Sequence, residues 1–138
     1  MRAYVRVRVG AESYAMPVES VLEVAVTGEV TPVPGSRAEV LGVRSLRGQL
    51  LPVIDLGALL GCRGGAPAAR LVVAEAGHLR AGFAVDEISD VARLPDPAEE
   101  PDSRLLRGGL LDGDDLVGVI DVPALFEALE RGRPGEHS

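Results

Sequence analysis

The chain has 138 residues, 46% of them hydrophobic and 25% charged, which suits one compact domain with a real core. Its net charge of -7 and pI near 4.8 oppose binding to a phosphate backbone, so nucleic acid is not an expected partner. The lone Cys62 rules out an internal disulfide, and no apolar run approaches the roughly 18–20 residues of a membrane span.

Tyr4 to Val9 alternates, with Val5, Val7 and Val9 on one face and Arg6 and Arg8 on the other, as in a half-buried strand. Gly10-Ala11-Glu12 makes a turn, and Tyr14, Met16 and Val18 line a second strand. Thr27 to Ser36, with two prolines and two glycines, reads as a loop, and Ser36 with Glu39 fits a capping box for a short helical turn. Leu41 to Leu46 and Gln49 to Ile54 read as two apolar strands joined at Arg47-Gly48. Gly61 to Gly65 is a linker. Leu71 to Ala74 and Leu79 to Val85 are strands around a Gly77-His78 turn. Pro95 to Ser103, with Asp96, Glu99, Glu100 and Asp102, is a solvated loop. Val122 to about Glu130 is a helix with an apolar stripe of Leu125, Phe126 and Leu129, followed by a frayed tail from Arg131.

Two segments recur in the same order. Val18 to Val24 parallels Val85 to Val91 at an offset of 67, and Val53 to Leu59 parallels Val119 to Leu125 at an offset of 66. This predicts an all-β protein of two similar lobes, each with about five strands. One lobe is expected over about 12–65 and the other over about 66–130, with the first strand open to sharing.

Little in the chain suggests catalysis. Asp55 and Asp121 occupy equivalent places, so a paired-carboxylate site is conceivable, yet Leu56 and Val122 follow them where that chemistry has Thr or Ser and then Gly. Helix N-capping explains both aspartates more simply. There is no nucleophile elbow, no phosphate-binding loop and no metal-ligand spacing around His78, His137 or Cys62. No catalytic residue, metal or cofactor is assigned, and binding is the leading class.

The stretch Leu41-Gly42-Val43-Arg44-Ser45-Leu46-Arg47-Gly48-Gln49-Leu50-Leu51-Pro52-Val53-Ile54-Asp55-Leu56 resembles the central motif of the CheW coupling proteins of bacterial chemotaxis, G-V-x-N-L-R-G-x-x-x-P-V-I-D-L. Ser45 stands where asparagine is usual, which changes the local hydrogen bonding rather than the fold. With Val18 to Glu23 and Gly82 to Asp86, the resemblance runs from about Ala3 to Leu129. It implies two SH3-like five-stranded β-barrels side by side. It also implies a non-enzymatic adaptor that joins the regulatory domain of a CheA-type histidine kinase to the cytoplasmic tip of a methyl-accepting chemoreceptor.

By that resemblance Val21, Glu23, Arg47 and Ile88 fall in the receptor-binding groove between the lobes, and Val30, Leu41 and Leu50 on the kinase-binding end of the first lobe. Ordinary core is the competing reading for the last three, and a buried ion pair for Glu23 and Arg47. The residues themselves predict that Glu23 and Arg47 pair, since each sits among apolar neighbours where a lone charge is costly. A cytoplasmic protein with no signal peptide, no membrane insertion and no fused receiver domain is expected. A chemosensory pathway that drives gliding, pili or gene expression is the runner-up output.

Overall fold

The computed structural model describes residues 1–62, 69–98, 100–101 and 103–131. The strands are β1 (Arg2–Val9), β2 (Glu12–Pro17), β3 (Val21–Val26), β4 (Val40–Leu46), β5 (Gln49–Asp55), β6 (Arg70–Ala76), β7 (Leu79–Val85), β8 (Glu87–Leu94), β9 (Leu106–Asp112) and β10 (Asp115–Ile120). Two helices, α1 (Leu56–Leu60) and α2 (Val122–Glu130), follow β5 and β10. The linker beyond Cys62 and the tail beyond Arg131 lie outside the described residues.

The strands form two five-stranded sheets, in the orders β3-β6-β7-β5-β4 and β8-β1-β2-β10-β9. We call these the first and second lobes. Each is antiparallel except for one parallel pair, β5 with β7 and β10 with β2. The expected division near residue 65 is therefore wrong, although the repeat behind it is real. The hairpin β1–β2 completes the lobe of β8–β10, and the hairpin β6–β7 completes the lobe of β3–β5. The connectors force this exchange. A hairpin needs at least two loop residues, and only Asp86 separates β7 from β8, so the chain runs on into the other sheet. A single 3-10 turn, Val18–Ser20, carries it the other way.

Interleaving gives three packed regions. A central core between the sheets takes Val5, Val7, Val9, Met16 and Ile120 from the second lobe, and Ile54, Val72, Phe83 and Val85 from the first. Leu125 and Phe126 of α2 close it, with the Phe126 ring edge-on to Phe83 at 5.6 Å. Each lobe also has its own interior: Leu51, Val53, Leu71, Val73 and Ala84 in the first, and Tyr4, Ala15, Leu94, Leu110, Val117 and Val119 in the second.

Both helices begin as the sequence predicts. Asp55 Oδ1 accepts from Ala58 N at 3.2 Å, and Asp121 Oδ1 accepts from Ala124 N at 3.1 Å. The capping box at Ser36 and Glu39 does not form. Ser36 Oγ donates to Val33 O, and the Glu39 carboxylate binds Arg37 instead.

Candidate partner-binding surfaces

The turn between β4 and β5 is unusual. Arg47 has φ of +52° and Gly48 of +80°, the two left-handed residues of a tight hairpin turn that Asn-Gly fills most easily. Arg47 is the only described residue other than glycine with positive φ. An L side chain held there costs roughly 1–2 kcal/mol. Glu23 on β3 meets it: Glu23 Oε1 accepts from Arg47 Nη2 at 3.1 Å and from Nε at 3.3 Å. Since β3 and β4 are the two unpaired edges of the first lobe, the pair spans its open seam. Arg44 spans it again, donating to Val26 O at 2.8 Å.

The expected pairing is thus present, but in a different setting. Arg47 is 77% exposed and Glu23 29%, so the pair is not buried. The cavity of about 220 Å³ beside it is lined by Leu22, Leu46, Gln49, Leu51, Val73 and Arg80, all of the first lobe. The pair therefore closes the mouth of one barrel rather than facing a cleft between two. Val21 and Ile88 do face the junction. They sit on β3 and β8, one strand from each lobe, half-buried against the central core.

Leu41 and Leu50 stand at the two ends of one outer face, and Val30 lies off it. Leu50 is 74% exposed at the tip of β5, opposite Ser45, while Leu41 is 38% exposed at the far end of β4. The cross-strand pair Val43 and Pro52 lies between them on the same outer face. Val30 is half-buried against the interior of the first lobe. Its loop is pinned to β4 by reciprocal bonds, Thr31 N to Val43 O at 2.8 Å and Val43 N to Thr31 O at 2.9 Å. Gly42 permits that approach, since a Cβ there would stand 2.1 Å from Thr31 O.

The chain matches the CheW-like domain model over residues 3–130. It is 32% identical over 139 residues to the probable chemotaxis protein CheW of Rhizobium etli, covering 94% of this chain and 90% of that one. It is 34% identical over 125 residues to Protein FrzA of Myxococcus xanthus, covering 88% and 76%. Among solved structures, the scaffolding protein TtCheW from Thermoanaerobacter tengcongensis superposes with a TM-score of 0.80 at 25% identity, covering 91% of this chain and 92% of that one. The chain belongs to the CheW-like domain family. It is a coupling adaptor of the chemotaxis type, built from that family's two SH3-like lobes.

Against that family frame, the paired-carboxylate alternative loses its geometry, because Asp55 and Asp121 each cap a separate helix. Among the described residues no group of His, Cys, Asp and Glu could hold a metal, and no helix is long and apolar enough to cross a membrane.

One interaction escaped the sequence pattern. Arg6 Nη1 donates to Asp112 Oδ2 at 2.6 Å, and Asp115 lies 3.5 Å from its Nη2. The Arg6 side chain is only 20% exposed. Alternation with Val5, Val7 and Val9 suggested a solvated face, but the second lobe covers that face at Tyr4 and Arg6 and leaves it open at Arg8.

Proposed function

We propose that this adaptor binds a chemoreceptor's cytoplasmic tip and the regulatory domain of a CheA-type histidine kinase through separate surfaces, in the cytoplasm. The receptor surface comprises Arg47 with Glu23 at the mouth of the first lobe, extended by Val21 and Ile88 at the lobe junction. The kinase surface is the outer face of β4 and β5, from Leu41 through Val43 and Pro52 to Leu50, with Val30 supporting it from beneath. The observation that carries this reading is Arg47: an exposed arginine in a left-handed turn, with its guanidinium held by a carboxylate. Strain kept at an exposed charged side chain points to recognition rather than to packing. The exposed Leu50, on the same outer face as Val43 and Pro52, supports the second surface.

A pathway with an output other than swimming is the second reading, favoured by the 34% identity to Protein FrzA, a relative whose name is not that of a chemotaxis protein. Titrating the chain with a receptor-tip fragment and with a kinase regulatory domain tests the proposal. Leu50→Glu should weaken only kinase binding while circular dichroism stays native. Loss of the fold would return Leu50 to the core, and unchanged kinase binding would remove it from the surface.

A further inference from the structure

α1 and α2 end differently. Gly61, at φ of +78°, closes α1 with bonds from Gly61 N to Ala58 O and from Cys62 N to Gly57 O. α2 has no such glycine: its last residue leads into Arg131, which is extended at φ -74° and ψ 149°. Its final carbonyls therefore need donors from elsewhere. Arg37, in the loop before β4, provides them. Its Nη1 donates to Ala128 O at 2.6 Å and to Arg131 O at 2.7 Å, with Leu129 O at 3.4 Å. The rest of the guanidinium forks onto Glu39, with Nε to Oε1 at 3.1 Å and Nη2 to Oε2 at 3.3 Å. A cation at a helix C-terminus also meets the negative end of the helix dipole.

The same loop is tied to the first lobe by backbone bonds. Val40 N donates to Arg37 O, and Asp55 N donates to Glu39 O. Arg37 therefore joins the helix that closes the central core to the start of β4, where Leu41 begins the outer face. The counterpart of Arg37 at an offset of 66 is Ser103, a short side chain that accepts from Leu105 N at 3.1 Å. The arginine clasp belongs to the first lobe and not to the repeat.

We propose that Arg37 is a positioning residue for kinase binding: clasped between Glu39 and the carbonyl end of α2, it fixes the segment that sets the Leu41 end of the outer face. This inference rests on reading that face as the kinase surface. It is tested by titrating wild type, Arg37→Ala, Arg37→Lys and Leu50→Glu with the kinase regulatory domain and with a receptor-tip fragment. Amide hydrogen exchange at Val40 and Asp55 is followed alongside.

Arg37→Ala should weaken kinase binding about tenfold, the scale of one or two lost charge-assisted bonds, leave receptor binding within about twofold, and speed exchange at both amides. Arg37→Lys should recover part of the kinase affinity, because an ammonium still reaches the carbonyls but cannot fork onto Glu39. If Arg37→Ala does not fold, Glu39→Gln, which keeps the carbonyl bonds and removes the ion pair, replaces it with the same expected pattern in weaker form. The inference is overturned if kinase binding is unchanged while Leu50→Glu abolishes it, or if both partners are lost equally. If Leu50→Glu itself leaves kinase binding intact, the reading of the face fails. Exchange then decides the clasp alone: faster exchange at Val40 and Asp55 sustains it, and unchanged exchange ends it.

Discussion

The bodies of the β4–β5 and β9–β10 hairpins share one backbone plan, and their tips carry opposite charge. Thr31 N bonds Val43 O in the first lobe, and Ala98 N bonds Gly109 O in the second, at offsets of 67 and 66. Asp55 N to Glu39 O matches Asp121 N to Leu105 O. Yet the first turn holds Arg47 in a left-handed conformation, while the second uses Gly113 at φ +65°, where no strain arises. The first seam is closed by a basic tip against Glu23, and the second mouth by acidic tip residues, Asp112 and Asp115, against Arg6. On the outer face of the first lobe, Val43 and Pro52 form a cross-strand pair. Their counterparts Gly109 and Gly118 leave a hollow of about 470 Å³ between Tyr14, Leu111 and Leu116. The two lobes share the backbone bonds that hold the barrels together and differ at the exposed positions. Strain was kept at only one of the two tips.

The largest loss of stability is expected at Gly42. Its φ of +148° and the 2.1 Å approach to Thr31 O leave no room for a methyl group. Gly42→Ala should cost about 3 kcal/mol or more, measured as the shift in a urea unfolding midpoint. A shift below about 1 kcal/mol would mean that the loop is not pinned to β4 as described.

Next in size is the contrast between two exposed leucines. Leu50→Glu should weaken kinase binding by about tenfold or more, as hot-spot truncations do, while Leu116→Glu, at the equivalent place, should change it by less than about twofold. Equal losses in a calorimetric titration would show that the two faces are not functionally distinct. Arg6→Ala should cost about 1–2 kcal/mol, because its short, part-buried bond to Asp112 closes the second lobe. No change in thermal midpoint would mark that clasp as ornamental to stability. The smallest effect is a gain: Arg47→Gly should stabilise the protein by about 1 kcal/mol by relieving the turn, less whatever the exposed ion pair supplies, which is about 0–1 kcal/mol.

Much of this was legible in the sequence because it is local. Strand alternation, the Asp55 and Asp121 caps and the extent of α2 depend on neighbours within a few residues. The Glu23–Arg47 contact was also legible, from two charges each set among apolar residues. The exchange of hairpins between lobes was not, because Val-rich strands do not state their partners and only the one-residue connector at Asp86 hints at it. Arg6 was misplaced for the same reason: period-two alternation gives two faces but does not say which part of the polar face a lobe covers. The resemblance set Val30 beside Leu41 and Leu50, but the Thr31–Val43 bridge that pins its loop to β4 is a long-range backbone contact. Arg37 gave no signal at all, since the carbonyls it binds lie more than 90 residues away.

The proposed adaptor has two separate surfaces: a strained, ion-paired turn, extended to the lobe junction, for the receptor, and the outer face of β4 and β5 for the kinase. Titrating Arg47→Ala against both partners tests it most directly. Receptor affinity should fall by about tenfold, kinase affinity should stay within about twofold and stability should change by less than about 1 kcal/mol, because the pair is exposed. Receptor binding equal to wild type, or an equal loss of both partners in a folded protein, would contradict it.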